Sequence, residues 1–438
     1  MADHVYILCP FAAKSGLYNS WLDKLPVPYT IVEDFSVQWQ PPADASIIVT
    51  HMHYRWEDLS TLRRLLTDHP QIPVLVLADG ILEYRNTWQH PGLAAGSMFQ
   101  PLLGHKIACI GRGQARILES WGNVGKCEVI GQPRFDELAA QKTQPPTKSD
   151  NFRLLIATAQ TPAFDDQQHA TVLQSLKDLQ VWLAENPKLG GKAVETTWRL
   201  TAGLDEELGF APRDPVNEGK LPPMLEVMDN VDAVITTPST VFLESVLKGR
   251  PTAILDYHNT PAYIPPGWTI SAQSHIGPVV HELADPPKPK LLFQDTTLHD
   301  HLECRSPAAE RMLDLILTMI QCGKTAAETR APIEYPYRII NSPEKGFFPV
   351  LESFDIEQLF PNAESFQNSD VRALQIELNA AIERLGELPR QIADRDAQLA
   401  STMELLDESR TKRRKMFADF KDLQARFRKL KERLNRET

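Results

Sequence analysis

The chain has 438 residues at 42% apolar content, enough for two substantial cores and an appendage. Its 57 acids against 46 bases leave a net charge of -11, which excludes a chain built mainly to coat nucleic acid. Five cysteines, Cys9, Cys109, Cys127, Cys304 and Cys322, form no CxxC pair, so neither a zinc site nor a disulfide framework is expected and a reducing cytoplasm fits best.

The opening MADHVYILCPFAA carries an acid where a secretion signal needs bases, and no signal is expected. Short apolar runs then recur at 5–10, 29–34, 46–52, 74–79, 106–111 and 127–133, separated by helix-length segments such as WEDLSTLRRLLTDHP. Runs apolar on both faces and spaced this way predict a parallel sheet covered by helices. The polar AAQKTQPPTKSDN at 139–151, with its double proline, marks a boundary. Strand and helix alternate again at 152–159, His169–Asn186, 195–203, 232–237 and 252–257, which predicts a second Rossmann-like domain and a cleft between the two. The run MLDLILTMI at 312–320 is half a membrane span and reads as a packed helix.

From Val371 to Leu434, apolar residues recur in steps of three and four, including Leu399, Leu406, Met416, Phe420 and Leu423. This heptad seam, interrupted by Arg395, Thr402, Ser409 and Arg413, predicts a coiled coil of unspecified strand number. Arg410–Thr438 holds 12 bases and 4 acids, a charge of +8 that reads as a solvated helical face, with contact to an anionic membrane or to nucleic acid as the alternative.

The chemistry concentrates in VDAVITTPSTVFLESVLKGRP, 231–251. After a buried strand, Pro238 is expected in the first helical turn with Thr237 or Ser239 as cap, and the exposed amides plus the Ser239 and Thr240 hydroxyls form an anion seat. Glu244, about a turn further on, is placed to accept from ribose hydroxyls. Asp79–Gly80, at the end of a strand and followed by Glu83 and Arg85, offers a general base or acceptor contact, with a turn-forming Asp-Gly as the structural alternative. Arg134 and Arg199 are candidates to counter donor charge. Asp232 stands at the start of its strand, where an ordinary doubly wound sheet makes it a turn or capping residue. No metal site is expected: the only DxD, Asp394–Asp396, lies in the coiled-coil region, and LHDHLECR at 298–305 reads as helix surface. GRGQAR at 111–116 lacks the third glycine of a dinucleotide fingerprint. Aromatics around Tyr54, His258 and Trp268 are able to stack on a base or sugar, although core packing suits most of them better.

The stretch DAVITTPSTVFLESVLKGRP resembles the nucleotide-sugar signature of GT-B glycosyltransferases, where the acid on this helix binds ribose. RILESWGNVGKCEVIGQPRFDEL, 116–138, resembles the interdomain segment of GT-B enzymes of surface-polysaccharide assembly, including the CDP-glycerol glycerophosphotransferases, and adds Gln132 to the nucleotide contacts. LADG resembles the acidic-acidic-glycine motif of bacterial CMP-sugar transferases, with Ala78 in place of the first acid, and the His-Pro pair of those enzymes is missing at WRLTAG. The whole pattern resembles the retaining β-Kdo transferase modules of O-antigen termination, in which Asp232 matches the nucleophile of a double displacement.

These resemblances imply an α/β fold: two Rossmann-like domains of GT-B type, modified if Asp232 is to reach the cleft, and a C-terminal α-helical coiled coil. Residues 1–140 are the expected acceptor-side domain, 141–151 a linker, 152–330 the nucleotide-sugar-binding domain, 331–370 a returning segment and 371–438 the coil. The expected activity is metal-independent retaining transfer of Kdo from CMP-Kdo to an O-antigen glycan. Gly80, Glu83, Arg85, Arg199 and His258 would contact donor sugar or acceptor, and Asp232 and Asp79 would carry catalysis. Expected partners are the nucleotide sugar, the glycan, and coiled-coil self-association or other glycosyltransferases, in the cytoplasm or at the periphery of the inner membrane, without nucleic acid. The alternatives are a GT-B-type transferase using CDP-glycerol or a UDP-sugar, and a non-catalytic nucleotide-binding scaffold.

Overall fold

The computed structural model describes residues 3–9, 16–33, 35–93, 98–141, 149–210, 224–340 and, in the tail, 395–396, 398–399, 401–403, 405–424, 426 and 428–429. The chain divides into two compact units, Met1–Ala363 and Glu364–Thr438.

The first unit holds two sheets. β1 (His4–Leu8), β2 (Tyr29–Val32), β3 (Ala45–Thr50), β4 (Val74–Leu77), β5 (Lys106–Cys109) and β6 (Cys127–Val129) form one in the order β2-β1-β3-β4-β5-β6, every pair parallel. β7 (Phe152–Ala157), β8 (Lys188–Leu189), β9 (Lys192–Arg199), β10 (Ala233–Thr236), β11 (Thr252–Leu255) and β12 (Trp268–Ile270) form the other, ordered β12-β11-β10-β7-β9-β8 and parallel except for the β8–β9 hairpin. β3, β4, β5, β7 and β10 carry almost only apolar side chains because helices cover both faces. Each sheet reverses its strand order once, between β1 and β3 and between β7 and β10, and such switch points are where open α/β sheets take ligands, outside the strands' carboxyl ends.

Every strand expected from the sequence is present. β12 and the short β8 are additional, and Trp268 is a 1% exposed core residue whose Nε1 donates to Glu282, not a stacking platform. The expected second-domain range, 152–330, needs correction. Its last helix, Ala308–Thr329, packs its Met312, Leu315, Ile316 and Met319 into the first core, against Val5, Ile7 and Ile47.

The interdomain motif explains that crossing. Asp136 Oδ1 and Oδ2 accept from the Ala308 and Ala309 amides at 2.7 and 2.9 Å, capping the returning helix. Arg311 donates to the Ile130 carbonyl at 2.7 Å. Gly131, at φ +90°, lies where a Cβ would meet the Glu303 carbonyl oxygen at 2.2 Å, so neither its backbone angle nor its surroundings admit a side chain. Beyond the helix, the buried pair Lys106 Nζ–Glu128 Oε1, 2.6 Å, fastens the next segment: Glu128 accepts from the Ile339 and Ile340 amides and Lys106 donates to the Pro336 carbonyl.

In the second unit residues 405–424 are helical, and Leu406, Met416, Phe420 and Leu423 are exposed along it. The seam positions before Arg395, Asp394 of the DxD, and Phe427, Leu430 and Leu434 lie outside the described residues. No helix among the described residues is long and apolar enough to cross a membrane.

Candidate active site between the two domains

The two singled-out motifs meet. Arg134, just beyond β6, places a guanidinium nitrogen 3.5 Å from Glu244 Oε1 on the helix Val241–Leu247 beyond β10. Burial holds the Glu244 carboxyl above the usual range, and the opposing pull of Arg134 offsets only part of that rise. The Arg134 guanidinium also lies 4.8 Å from the Phe135 ring centre.

The Asp79–Gly80 loop faces this pair. Asp79 is exposed, and its carbonyl accepts from Gln132 Nε2 at 3.0 Å. Gln114 holds the next carbonyl, Gly80, at 2.9 Å, while its own Oε1 accepts from the Ile110 amide. Two buried glutamines therefore fix the loop: Gln132, expected to touch nucleotide, holds the Asp79 carbonyl, and Gln114, which left no recognisable signal in the sequence, holds that of Gly80. A Cβ on Gly80 would lie 2.5 Å from Thr240 Oγ1, so glycine lets the two domains approach here.

The turn into the helix differs from expectation. The helix begins at Val241, three residues after Pro238, and Ser239 Oγ accepts from the Val241 amide at 3.1 Å. Thr237 Oγ1 accepts from the Ala159 amide at 2.8 Å, tying β10 to the segment after β7. These hydroxyls hold the turn itself, and the helix is only 7 residues long, so the anion seat expected from it is weaker than the sequence suggested.

A cavity of about 210 Å³ opens between the domains, lined by Ile81, Leu82, Glu83 and Tyr84 on one side and Pro238, Phe242, Asp256 and Tyr263 on the other. Tyr263 reaches into an aromatic group of the first domain, its ring centre 6.4 Å from Tyr84 and 5.7 Å from Trp121, and its hydroxyl accepts from Trp88 Nε1. Glu83 and Arg85 form an ion pair at 2.7 Å, and Arg85, 2% exposed, donates to the Pro162 carbonyl. Arg85 thus bridges the domains instead of facing a ligand. His258 Nδ1 lies 3.0 Å from Asp256 Oδ1. Burial opposes ionisation of Asp256, but the His258 ring and amide, helped by Arg85, hold its carboxyl below the usual range. Arg199 ends β9, and its carbonyl accepts from the Thr158 amide at the same carboxyl edge of the second sheet.

Asp232 is not brought to the cleft. It precedes β10 at the amino edge, where its carboxylate accepts from the Arg153 amide at 2.8 Å and from the Arg153 guanidinium at 2.9 and 3.2 Å. The second sheet is ordinarily wound, so a residue before a strand and one after it lie at opposite ends. The expectation of a cleft-facing nucleophile is corrected on that ground. Gly111 of GRGQAR precedes the helix Arg112–Ser120, where a Cβ would lie 2.2 Å from the His301 backbone; close packing of the interdomain connection accounts for it. No group of His, Cys, Asp or Glu able to hold a metal occurs among the described residues.

Two doubly wound sheets joined at such a cleft define a GT-B-like, two-Rossmann-domain protein. No protein-family model and no curated protein matches the chain. Among solved structures, the S. aureus MnaA-UDP co-structure aligns at 12% identity over 77% of this chain and 100% of that one, with a TM-score of 0.48. The wall teichoic acid polymerase TagF with CDPG aligns at 16% identity over 72% and 88%, TM-score 0.44. A putative UDP-N-acetylglucosamine 2-epimerase from Listeria monocytogenes aligns at 11% over 76% and 98%, TM-score 0.48. The fold assignment rests on the strand order and register of the chain's own two sheets.

Proposed function

We propose that the protein is a GT-B-type transferase that takes a nucleotide-activated donor in surface-polysaccharide synthesis. The observation that carries this reading is the Arg134–Glu244 pair, 3.5 Å apart, which joins two motifs from different domains beside the Asp79 loop. Glu244 accepts from the ribose hydroxyls. Arg134 is released to the donor phosphate as Glu244 turns to ribose. Asp79 takes the proton of the attacking hydroxyl, and the nucleotide leaves with the electron pair of its bond to the transferred group.

CDP-glycerol or a UDP-sugar is the favoured donor, and transfer of a sugar then inverts its centre. CMP-Kdo is less favoured: the LADG and WRLTAG stretches depart from the CMP-sugar pattern, and Asp232 stands at the wrong end of its sheet to form a glycosyl ester. Calorimetric titration with CDP-glycerol, UDP-GlcNAc and CMP-Kdo tests the reading. One of the three is expected to bind, with Glu244→Gln weakening it about tenfold or more, since a hydrogen bond to a charged group contributes roughly 1.5–3 kcal/mol. Binding of none, or equal affinity in the variant, refutes it.

A further inference from the structure

Three strands of the first sheet bring unassigned side chains together beside Asp79. Cys9 follows β1, His51 follows β3, and Asp79 lies two residues beyond β4; the parallel registers of β1 with β3 and β3 with β4 make these carboxyl ends neighbours at the switch point. Beneath them, Tyr18 on the helix Gly16–Leu22 is fully buried, with its hydroxyl 3.0 Å from His51 Nδ1. The ring centres of the two residues are 5.7 Å apart.

The proton positions follow from the donor and acceptor inventory. Burial, with Cys9 and Asp79 adding to it, lifts the Tyr18 phenol well above its usual range, so it keeps its hydrogen. The phenol hydrogen has the Cys9 thiol and His51 Nδ1 as acceptors. A neutral thiol accepts weakly, so the hydrogen goes to Nδ1. A neutral imidazole that accepts at Nδ1 carries its own hydrogen on Nε2. Burial favours that neutral ring and outweighs the opposing fields of Asp79 and of Asp58 on the helix Trp56–Asp68. His51 therefore carries a hydrogen-bond donor at the carboxyl end of the first sheet, where Asp79 supplies a negative charge.

Resting on the transferase reading above, we propose that His51 is a catalytic residue: its Nε2–H donates to the oxygen of the attacking hydroxyl while Asp79 accepts that hydroxyl's proton, and Tyr18 is the positioning residue that fixes the tautomer. In the step, the hydroxyl O–H breaks toward Asp79, the oxygen bonds to the transferred group, and the nucleotide phosphate departs with the electron pair. His51 keeps its proton throughout. A neutral histidine as donor beside a carboxylate base divides the labour between two groups whose surroundings set them apart.

Long-range 1H–15N spectra of the full chain, with the His51 signal identified by its loss in His51→Gln, test the tautomer. The neutral Nε2–H form is expected at pH 7, with protonation below pH 6.5, and Tyr18→Phe should mix the two tautomers. A neutral Nδ1–H ring or an imidazolium at pH 7 overturns the proposal. The catalytic role is read from release of CMP from CDP-glycerol or CMP-Kdo, or of UDP from UDP-GlcNAc, with water as acceptor. His51→Ala should lower kcat by about a hundredfold, the loss typical of removing one fixed donor, with donor affinity by calorimetry unchanged. Undiminished kcat in His51→Ala overturns the role. Failure of the wild-type chain to bind any of the three donors instead overturns the transferase reading.

Discussion

Glu244 shows how a single residue couples the two domains. Its carboxyl is raised by burial and lowered by Arg134, so Arg134→Ala leaves only the raising influence. Nucleotide affinity in that variant is predicted to fall away at a higher pH than in the wild type, as titrations between pH 5 and 7.5 would show. His53 carries a separate dependence. It is 2% exposed, accepts from the Leu103 amide at 2.7 Å, and is pushed down to about 4, first by burial and further by Lys126. Its folded value lies below its unfolded one, so its stabilisation is complete above pH 6.5 and is lost as pH falls toward about 4. Roughly 3 kcal/mol is at stake. Thermal midpoints should drop over that window, and less so in His53→Gln, which keeps an acceptor without a basic nitrogen. Asp232 supplies the contrast: Asp232→Ala should cost about 1–2 kcal/mol by stranding the Arg153 amide and guanidinium, yet leave nucleotide affinity unchanged. A loss of affinity at constant stability would restore it to the site. Glu244 and Arg134 were legible because a strand, a turn and a helix surround them in sequence. Tyr18 and His51 were not, since no local pattern announces a hydrogen bond between residues so far apart in the chain.

At the scale of elements, apolar strands declared themselves, whereas ends and short pieces did not. β12 is 3 residues long and follows a proline-rich stretch, so its periodicity had no room to show. The sequence puts Pro238 in the first helical turn, but the Ser239–Val241 bond delays the helix. The interdomain segment had a meaning its spelling hid: Gly131 and Asp136 receive the returning helix. Gly131→Ala must relieve both a positive φ and a 2.2 Å approach to backbone, and about 3 kcal/mol or more of stability should be lost. Asp136→Ala removes an N-terminal cap, for about 1 kcal/mol. Denaturant midpoints would rank the two, and an unchanged midpoint in Gly131→Ala would contradict the packing described.

For the whole molecule, two parallel sheets were foreseeable from alternation alone, but the partner of the last helix was not. The apolar face of Ala308–Thr329 declares that it is buried, not which core receives it; that depends on Asp136 and Arg311 bonding across the chain. The consequence is a cleft whose two walls are tied by the same connection that positions Arg134. The central claim is that nucleotide binds at the carboxyl ends of both sheets. Hydrogen–deuterium exchange of the full chain with and without CDP-glycerol, and separately UDP-GlcNAc, tests it most directly. The account predicts slowed exchange at 79–84, 132–135 and 237–244, with none at 153 or 226–232. Protection confined to 153 and 226–232, around Asp232, would contradict it.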